Sequence, residues 1–150
     1  MGGIATMLSG FPFTPQIGAN RSGDGDTRNP DRPSLNPSFA GPVIVGKQTQ
    51  WYDPAAFVLP TPGTWGSLGR GVYSGPGLAE LDLSLFKTTT VTEQVRLQFR
   101  AEFFNALNHS NFGTPSAIVF SGNAISSSAG FIGTGATTPR QIQLGLKLIF

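Results

Sequence analysis

The segment "RQIQLGLKLIF", Arg140 to Phe150, decides the predicted fold because polar and apolar residues alternate along it. Its apolar positions are Ile142, Leu144, Leu146, Leu148 and Phe150. Successive side chains of a β-strand point to opposite faces, so this pattern predicts a strand with one apolar and one polar face. Chain ends usually fray in solvent. An apolar end therefore suggests that this strand meets an unusual environment.

Two earlier segments alternate in the same way, "LAELDLSLFK" from Leu78 and "VRLQFRAEF" from Val95. We predict long strands at about 78–87, 94–105 and 140–150, and a weaker strand at about 3–8. Strands of roughly 9 to 11 residues exceed the usual length of about 5–6 and match the length that crosses a bilayer at a tilt. The predicted fold is an all-β antiparallel meander of about three to four long strands with long loops, a partial transmembrane β-barrel.

The connections between these strands differ greatly in length. "TTTVTE", residues 88–93, is predicted to form a short hairpin turn, whereas residues 9–77 and 106–139 are long and rich in glycine, proline and small polar residues. Outer-membrane barrels have short periplasmic turns and long outer loops. A compact soluble domain seldom contains nearly seventy residues without structure. The alternation predicts long outer loops at both places and a C-terminus on the periplasmic side.

The two middle strands also allow a prediction of register. Their apolar residues all have odd numbers, so facing residues should have numbers with an even sum. We predict that Glu80 lies opposite Arg100, and Leu83 opposite Leu97. A shift by two residues would place Glu80 against Glu102, and like charges directly opposite each other are unfavourable.

A soluble β-sandwich would show the same alternation, because such sheets also have one buried and one solvated face. This alternative is a secreted binding module that uses an aromatic-rich loop to bind a glycan or a protein. The strand lengths, the unequal connections and the charged polar faces favour the barrel. Four strands cannot close a membrane barrel, since the smallest have eight. We therefore expect a piece of a larger protein, with Met1 as an internal position.

Composition excludes several other classes of function. The net charge is +2 without a cluster of basic residues, so nucleic-acid binding is not supported. The chain has no cysteine, which excludes disulfides and thiolate metal sites. The segment "MGGIATMLSGFPFTP" lacks the basic and apolar regions of a secretory signal. We expect any export signal to lie outside this chain.

No group of residues in the sequence predicts catalysis or cofactor binding. His109 is the only histidine, and no nucleophile or orienting partner accompanies it. Asp24, Asp26 and Asp31 resemble a calcium loop only superficially, because the EF-hand spacing is missing. "GSLGRG", residues 66–71, lacks the ending of a phosphate-binding loop. We predict a protein that is not an enzyme and that has no cofactor or metal.

Both tryptophans and both tyrosines of the chain fall in the first long connection: Trp51, Tyr52, Trp65 and Tyr73. Exposed aromatic rings stack on sugars or pack on peptides, so these residues are possible ligand contacts outside the membrane. Alternatively, they fold the connection onto itself or belong to the aromatic girdle of a barrel. The sequence leaves the three roles open.

Three segments resemble the C-terminal end of TonB-dependent outer-membrane receptors: "SGFPFTP" from Ser9, "LQFRAEFFNALNHSNFGTP" from Leu97, and the final strand. The most similar group is the Oar-like type with a carboxypeptidase-regulatory-like N-terminal domain, which is common in acidobacteria. Such receptors have a plug domain and about 22 strands, and they take up bulky substrates. The resemblance implies that the remaining barrel, the plug and the TonB-contacting segment are absent from this chain.

The chain end is also similar to the signal that the barrel-assembly machinery recognises. That signal has a polar residue, a glycine and two terminal apolar or aromatic positions, which here are Gln143, Gly145, Leu148 and Phe150. Strand addition to an exposed edge gives this ending a physical role. The apolar faces imply contact with outer-membrane lipid at Leu81, Leu83, Leu85, Leu97, Phe99, Ile142, Leu144 and Leu146.

Overall fold

The computed structural model of the protein describes residues 1–26, 28 and 30–150. Thr27 and Asn29, within the predicted loop 9–77, lie outside the described residues. The fold is all-β. Its strands are β1 (Gly2–Leu8), β2 (Pro12–Phe13), β3 (Gln16–Ile17), β4 (Ser34–Leu35), β5 (Ile44–Lys47), β6 (Gln50–Tyr52), β7 (Phe57–Val58), β8 (Tyr73–Ser74), β9 (Leu78–Thr90), β10 (Arg96–Phe104), β11 (Ile118–Ser121), β12 (Ala124–Ile125) and β13 (Gln141–Ile149), with a short 3₁₀ helix at Pro54–Ala56.

The chain forms two compact units. The first unit comprises Met1–Ser9, Gly77–Asn111 and Gly135–Phe150, and it contains the four long strands. The second unit comprises Gly10–Pro76 and Phe112–Thr134, and it contains the short strands. The long connections are therefore not simple loops, because most of their residues fold against one another.

The first unit is a four-stranded antiparallel sheet in the order β1-β9-β10-β13. Apolar residues face apolar residues across the strands, for example Leu97 opposite Leu148 and Phe99 opposite Leu146. Leu81 lies opposite Ala5 in the same way. Because side chains alternate, all the odd-numbered apolar residues of β9 and β10 share one face with the even-numbered ones of β13. The predicted meander and its two-faced character are confirmed.

The predicted register of the central hairpin is wrong. Leu83 lies opposite Phe103, and Glu102 lies opposite Ser84, so the strands are offset by six residues from the predicted pairing. Strand β9 continues through three threonines, which favour extended structure, and residues 91–95 form the turn instead of 88–93. A cross-strand charge pair contributes only about 0.2–1 kcal/mol, which is too little to outweigh the geometry of the turn. Odd-numbered residues of β9 still lie opposite odd-numbered residues of β10, as predicted. A shift by an odd number of residues would have moved the apolar side chains of one strand to the polar face.

The second unit has a hydrophobic core built from both long connections. Phe13 and Ile17 come from the first connection, and Val119 and Phe120 come from the second; all four are buried. Strand β3 pairs in parallel with β11, and β12 pairs with β11 in antiparallel orientation. The sequence does not reveal this core, because strands of two to four residues are too short to show a period.

Four aromatic rings form a closed cycle within this core. Tyr52 stacks on Phe13, with ring centres 5.7 Å apart, and meets Phe57 edge-on at 5.8 Å. Tyr73 completes the cycle, 6.0 Å from Phe57 and 6.3 Å from Phe13. These distances and tilted or edge-on angles are those that aromatic pairs prefer. The cycle joins β2, β6, β7 and β8, none of which exceeds three residues.

The first long connection is closed at its base. Strand β2 pairs with β8, and the Gly75 N–H donates to the Phe11 carbonyl oxygen at 2.8 Å. Gly10 approaches the Gly75 backbone so closely that a Cβ atom there would overlap the Gly75 carbonyl group. Glycine is required at this position for that reason.

Candidate functional site

The apolar face of the first unit is unusually exposed. Leu144 and Leu146 on β13 are 65% and 70% exposed, and Phe99 on β10 is 45% exposed. Of the other residues predicted to face lipid, Leu85 and Ile142 are exposed, whereas Leu81, Leu83 and Leu97 are half-buried. A continuous apolar surface of this kind is rare on a soluble monomer and marks an interaction surface or a membrane.

The opposite face of the same sheet is polar. Gln98, Arg100 and Glu102 on β10 lie beside Gln143 and Lys147 on β13, and these residues line a groove of about 310 Å³. The Arg100 guanidinium lies 3.6 Å from the Glu102 carboxylate at an exposed position. A sheet with one apolar face and one charged face fits the wall of a barrel between lipid and water.

Both outer edges of this sheet are open in the part of the chain that the structure describes. Strand β1 pairs only with β9, and β13 pairs only with β10. Unpaired backbone groups cost several kcal/mol each in hydrocarbon. A sheet of this kind can reside in a bilayer only when further strands satisfy its edges.

The residues of the predicted assembly signal lie on or next to β13. Leu148 belongs to the apolar face, and Phe150, 91% exposed, follows the last residue of β13. Gln143 and Gly145 lie on the polar face, opposite Glu102 and Arg100. A Cβ atom at Gly145 would meet the Arg100 Cβ at 3.9 Å, an ordinary contact. Packing within the folded sheet therefore does not require glycine at position 145.

The end of β10 is fixed by asparagines whose role the sequence does not reveal. Asn105 and Asn108 have positive φ angles of 48° and 52°, a conformation that asparagine tolerates better than most residues. The Asn105 N–H donates to Asp82 Oδ1 at 2.9 Å. The buried Asn105 side chain also accepts from the His109 N–H and donates to the Thr138 carbonyl oxygen. It therefore ties β9 to the segment that leads into β13.

The Asn111 side chain forms hydrogen bonds with the backbone at the start of β9, as a neighbouring strand would. Its Oδ1 accepts from the Ala79 N–H at 2.8 Å, and its Nδ2 donates to the Ala79 carbonyl oxygen and to Thr137 Oγ1, both at 3.0 Å. The backbone of Ala79 fixes the orientation of this amide, because the opposite orientation would place donor against donor. His109 Nδ1 lies 3.0 Å from the same Oδ1. Since that oxygen only accepts, His109 Nδ1 is the donor of this hydrogen bond.

We expect Asn111→Ala to lower the free energy of unfolding by at least about 2 kcal/mol, because it leaves the Ala79 amide and carbonyl groups without this partner. Urea unfolding in detergent micelles would measure the change. Asn123→Ala is the matched control, since Asn123 is exposed and its side chain accepts from the Arg21 guanidinium in an exposed hydrogen bond. The control should change stability by less than about 0.5 kcal/mol. Equal losses in the two variants would contradict the assigned role of Asn111.

The two tryptophans and two tyrosines of the first connection have different environments. Tyr52 is fully buried and donates from its hydroxyl to the Ser116 carbonyl oxygen at 2.8 Å. Trp51 and Tyr73 are half-buried, and the indole N–H of Trp51 donates to the Ser74 carbonyl oxygen. Trp65 is 70% exposed. The structure thus places Tyr52 in a core and not at a ligand surface, and leaves Trp65 as the most accessible of the four rings.

The aspartates of the first connection accept hydrogen bonds from nearby backbone. Asp24 accepts from the Asp26 N–H, and Asp31 is buried and accepts from both the backbone and the hydroxyl of Ser22. Among the described residues, no group of three or more histidine, aspartate or glutamate side chains is arranged to hold a metal ion. No helix in the described part of the chain is long and apolar enough to span a membrane.

These features define a class of protein, the outer-membrane β-barrels, and comparison with known families supports it. The model of the outer membrane beta barrel domain family matches residues 1–143. The chain belongs to this family, whose domain is located in the outer membrane. The match favours the barrel over a secreted β-sandwich. Neither a curated protein nor a solved structure matches the chain significantly.

Proposed function

We propose that this chain is the C-terminal barrel segment of a TonB-dependent receptor of the Oar-like type, which takes up a bulky substrate. The observation that carries the proposal is the four-stranded sheet with two open edges and opposite polar and apolar faces, which ends in a strand bearing Gly145 and Leu148, followed by Phe150. The motif "FFNALNHSNFG" supports it further, because this segment is the most specific part of the resemblance to these receptors.

In this proposal the chain has no enzymatic activity and is not transport-competent alone. Its partners are the remaining barrel strands and the plug, the assembly machinery, and outer-membrane lipid. TonB contacts only the N-terminal part of the complete receptor, and nucleic acid is not a partner. The C-terminus lies in the periplasm, because the final strand descends from a long outer connection.

The genomic DNA upstream of Met1 tests the proposal directly. We expect an open reading frame that continues upstream and encodes a plug domain, a TonB-contacting segment and further strands with alternating polar and apolar residues. A stop codon followed by a compact promoter immediately upstream would contradict it. The same would hold for an upstream frame that encodes an unrelated soluble domain.

We expect removal of Phe150 from the full-length receptor to lower the amount of folded barrel in the outer membrane several-fold, because an assembly factor loses the terminal residue of its signal. Gly145→Ala should have the same direction of effect, although the folded sheet has space for the added methyl group. The heat-modifiable fraction in isolated outer membranes measures both. Lys147→Ala, at a free position of the signal, is the control. Unchanged levels after removal of Phe150 would overturn the assembly role.

A further inference from the structure

A polar groove with an exposed tryptophan lies on the surface of the second unit. Its volume is about 490 Å³, within the range of about 300–1,000 Å³ that is typical of small-molecule sites. We call it the Trp65 groove; its principal side chains are those of Asp24, Asp26, Arg28, Arg32, Trp65 and Arg70. In the sequence, Trp65 and the two aspartates lie about forty residues apart, and no motif connects them.

The indole of Trp65 is held at its edge and is otherwise accessible. Its Nε1–H donates to Asp24 Oδ2 at 3.3 Å, while 70% of the residue surface remains exposed. Exposure of so large an apolar ring is costly, and surface tryptophans are characteristic of binding surfaces. The Trp65 ring can therefore receive a flat apolar surface of a ligand while its polar edge remains bonded to Asp24.

The carboxylates around this ring are positioned by backbone hydrogen bonds. Asp24 Oδ1 accepts from the Asp26 N–H at 2.9 Å, and Asp26 Oδ1 accepts from the Arg28 N–H at 2.8 Å. Each carboxylate offers about four lone-pair sites, so Asp24 can accept further hydrogen bonds from ligand hydroxyl groups. Arg28 and Arg32 also line the groove, and a guanidinium group offers five N–H donors.

We propose that the Trp65 groove binds a neutral saccharide. A sugar ring presents an apolar C–H face that stacks on an indole, and its hydroxyl groups donate to carboxylates and accept from guanidinium groups. The lining balances three carboxylates, Asp31 included, against three guanidinium groups. This balance provides no net field for a strongly charged ligand. The inference rests on the second unit alone and does not depend on TonB-coupled uptake.

The 150-residue chain in detergent micelles should be applied to an array of neutral and acidic oligosaccharides. Isothermal titration calorimetry should then measure its affinity for the oligosaccharide that gives the strongest signal on the array. We expect binding of neutral oligosaccharides. Trp65→Ala should lower the affinity at least about tenfold, as truncation of a central aromatic anchor does. Trp65→Phe should retain part of the affinity, because a smaller ring still stacks.

Phe11→Ala is the matched control, since Phe11 is 69% exposed in the same unit and does not line the groove. It should bind like the unchanged chain. Near-ultraviolet circular dichroism should show an intact aromatic core in all variants. Absence of oligosaccharide binding would overturn the proposal. Binding restricted to acidic glycans, or neutral-glycan binding unaffected by Trp65→Ala, would do so as well.

Discussion

Leu144→Arg in the full-length receptor is expected to destabilise the barrel in phospholipid vesicles by about 2–4 kcal/mol, the cost of a basic residue on the lipid face of a barrel. Leu144 is 65% exposed and lies opposite Ala101 on the apolar face. In water, replacing an exposed leucine with arginine costs less than about 0.5 kcal/mol. The size of the loss in the free energy of unfolding therefore shows whether this face contacts lipid or water. Urea titration followed by far-ultraviolet circular dichroism of the strands measures it.

Gln143→Arg is the matched control, because it introduces the same side chain one residue earlier on the opposite face. Gln143 lies opposite Glu102, so an arginine there gains a carboxylate neighbour. We expect its stability to change by less than about 1 kcal/mol. Equal losses at the two positions, or a larger loss at Gln143, would show that the apolar face does not meet lipid.

Tyr52→Ala should lower the free energy of unfolding by about 3–5 kcal/mol, the usual cost of removing a large aromatic side chain from a core. Tyr52 has no exposed surface and contacts two of the other three rings in the aromatic cycle. Chemical denaturation in micelles would give the difference. Trp65→Ala removes an exposed ring of the same unit and should cost less than about 0.5 kcal/mol. Similar losses in the two variants would contradict the assignment of Tyr52 to the core.

The same residue should make stability depend on alkaline pH. Burial raises the pKa of Tyr52 from 10.0 to about 12. The unfolded chain therefore loses this proton first, and the stabilisation is complete below pH 10 and declines as the pH rises through 12. Tyr52→Phe should reduce this decline and leave the smaller part due to Tyr73, whose pKa is also raised by burial. An identical alkaline profile in Tyr52→Phe would exclude Tyr52 as the source.

The sequence predicts the long strands and their faces because a period of two persists over nine or more residues. It does not predict which residues of β9 and β10 face each other. Every even shift keeps Leu83 and Phe103 on the same face, and the turn at residues 91–95 decides among these registers.

The second unit and the asparagine contacts are less visible in the sequence. The core around Phe13 and Val119 joins segments more than a hundred residues apart, and no local pattern records such a contact. Asn105 and Asn111 act through side-chain bonds to backbone groups of distant residues. The sequence shows only three asparagines within seven residues, which indicates backbone turns but not their partners. The Trp65 groove is not visible in the sequence either, because its residues come from two segments about forty positions apart.

The closed base of the first long connection also bears on the order of folding. Joining β1 to β9 requires closure of residues 9–77, whereas the β9–β10 hairpin closes only residues 91–95. The entropic difference is about 2 kcal/mol for flexible chains. Within the second unit, Phe13 pairs with Tyr73 and the Gly75 N–H donates to the Phe11 carbonyl oxygen. These contacts close the loop and offset the entropic cost of its closure. Once this unit has formed, β1 and β9 are effectively neighbours in the chain, and a distant contact becomes a local one.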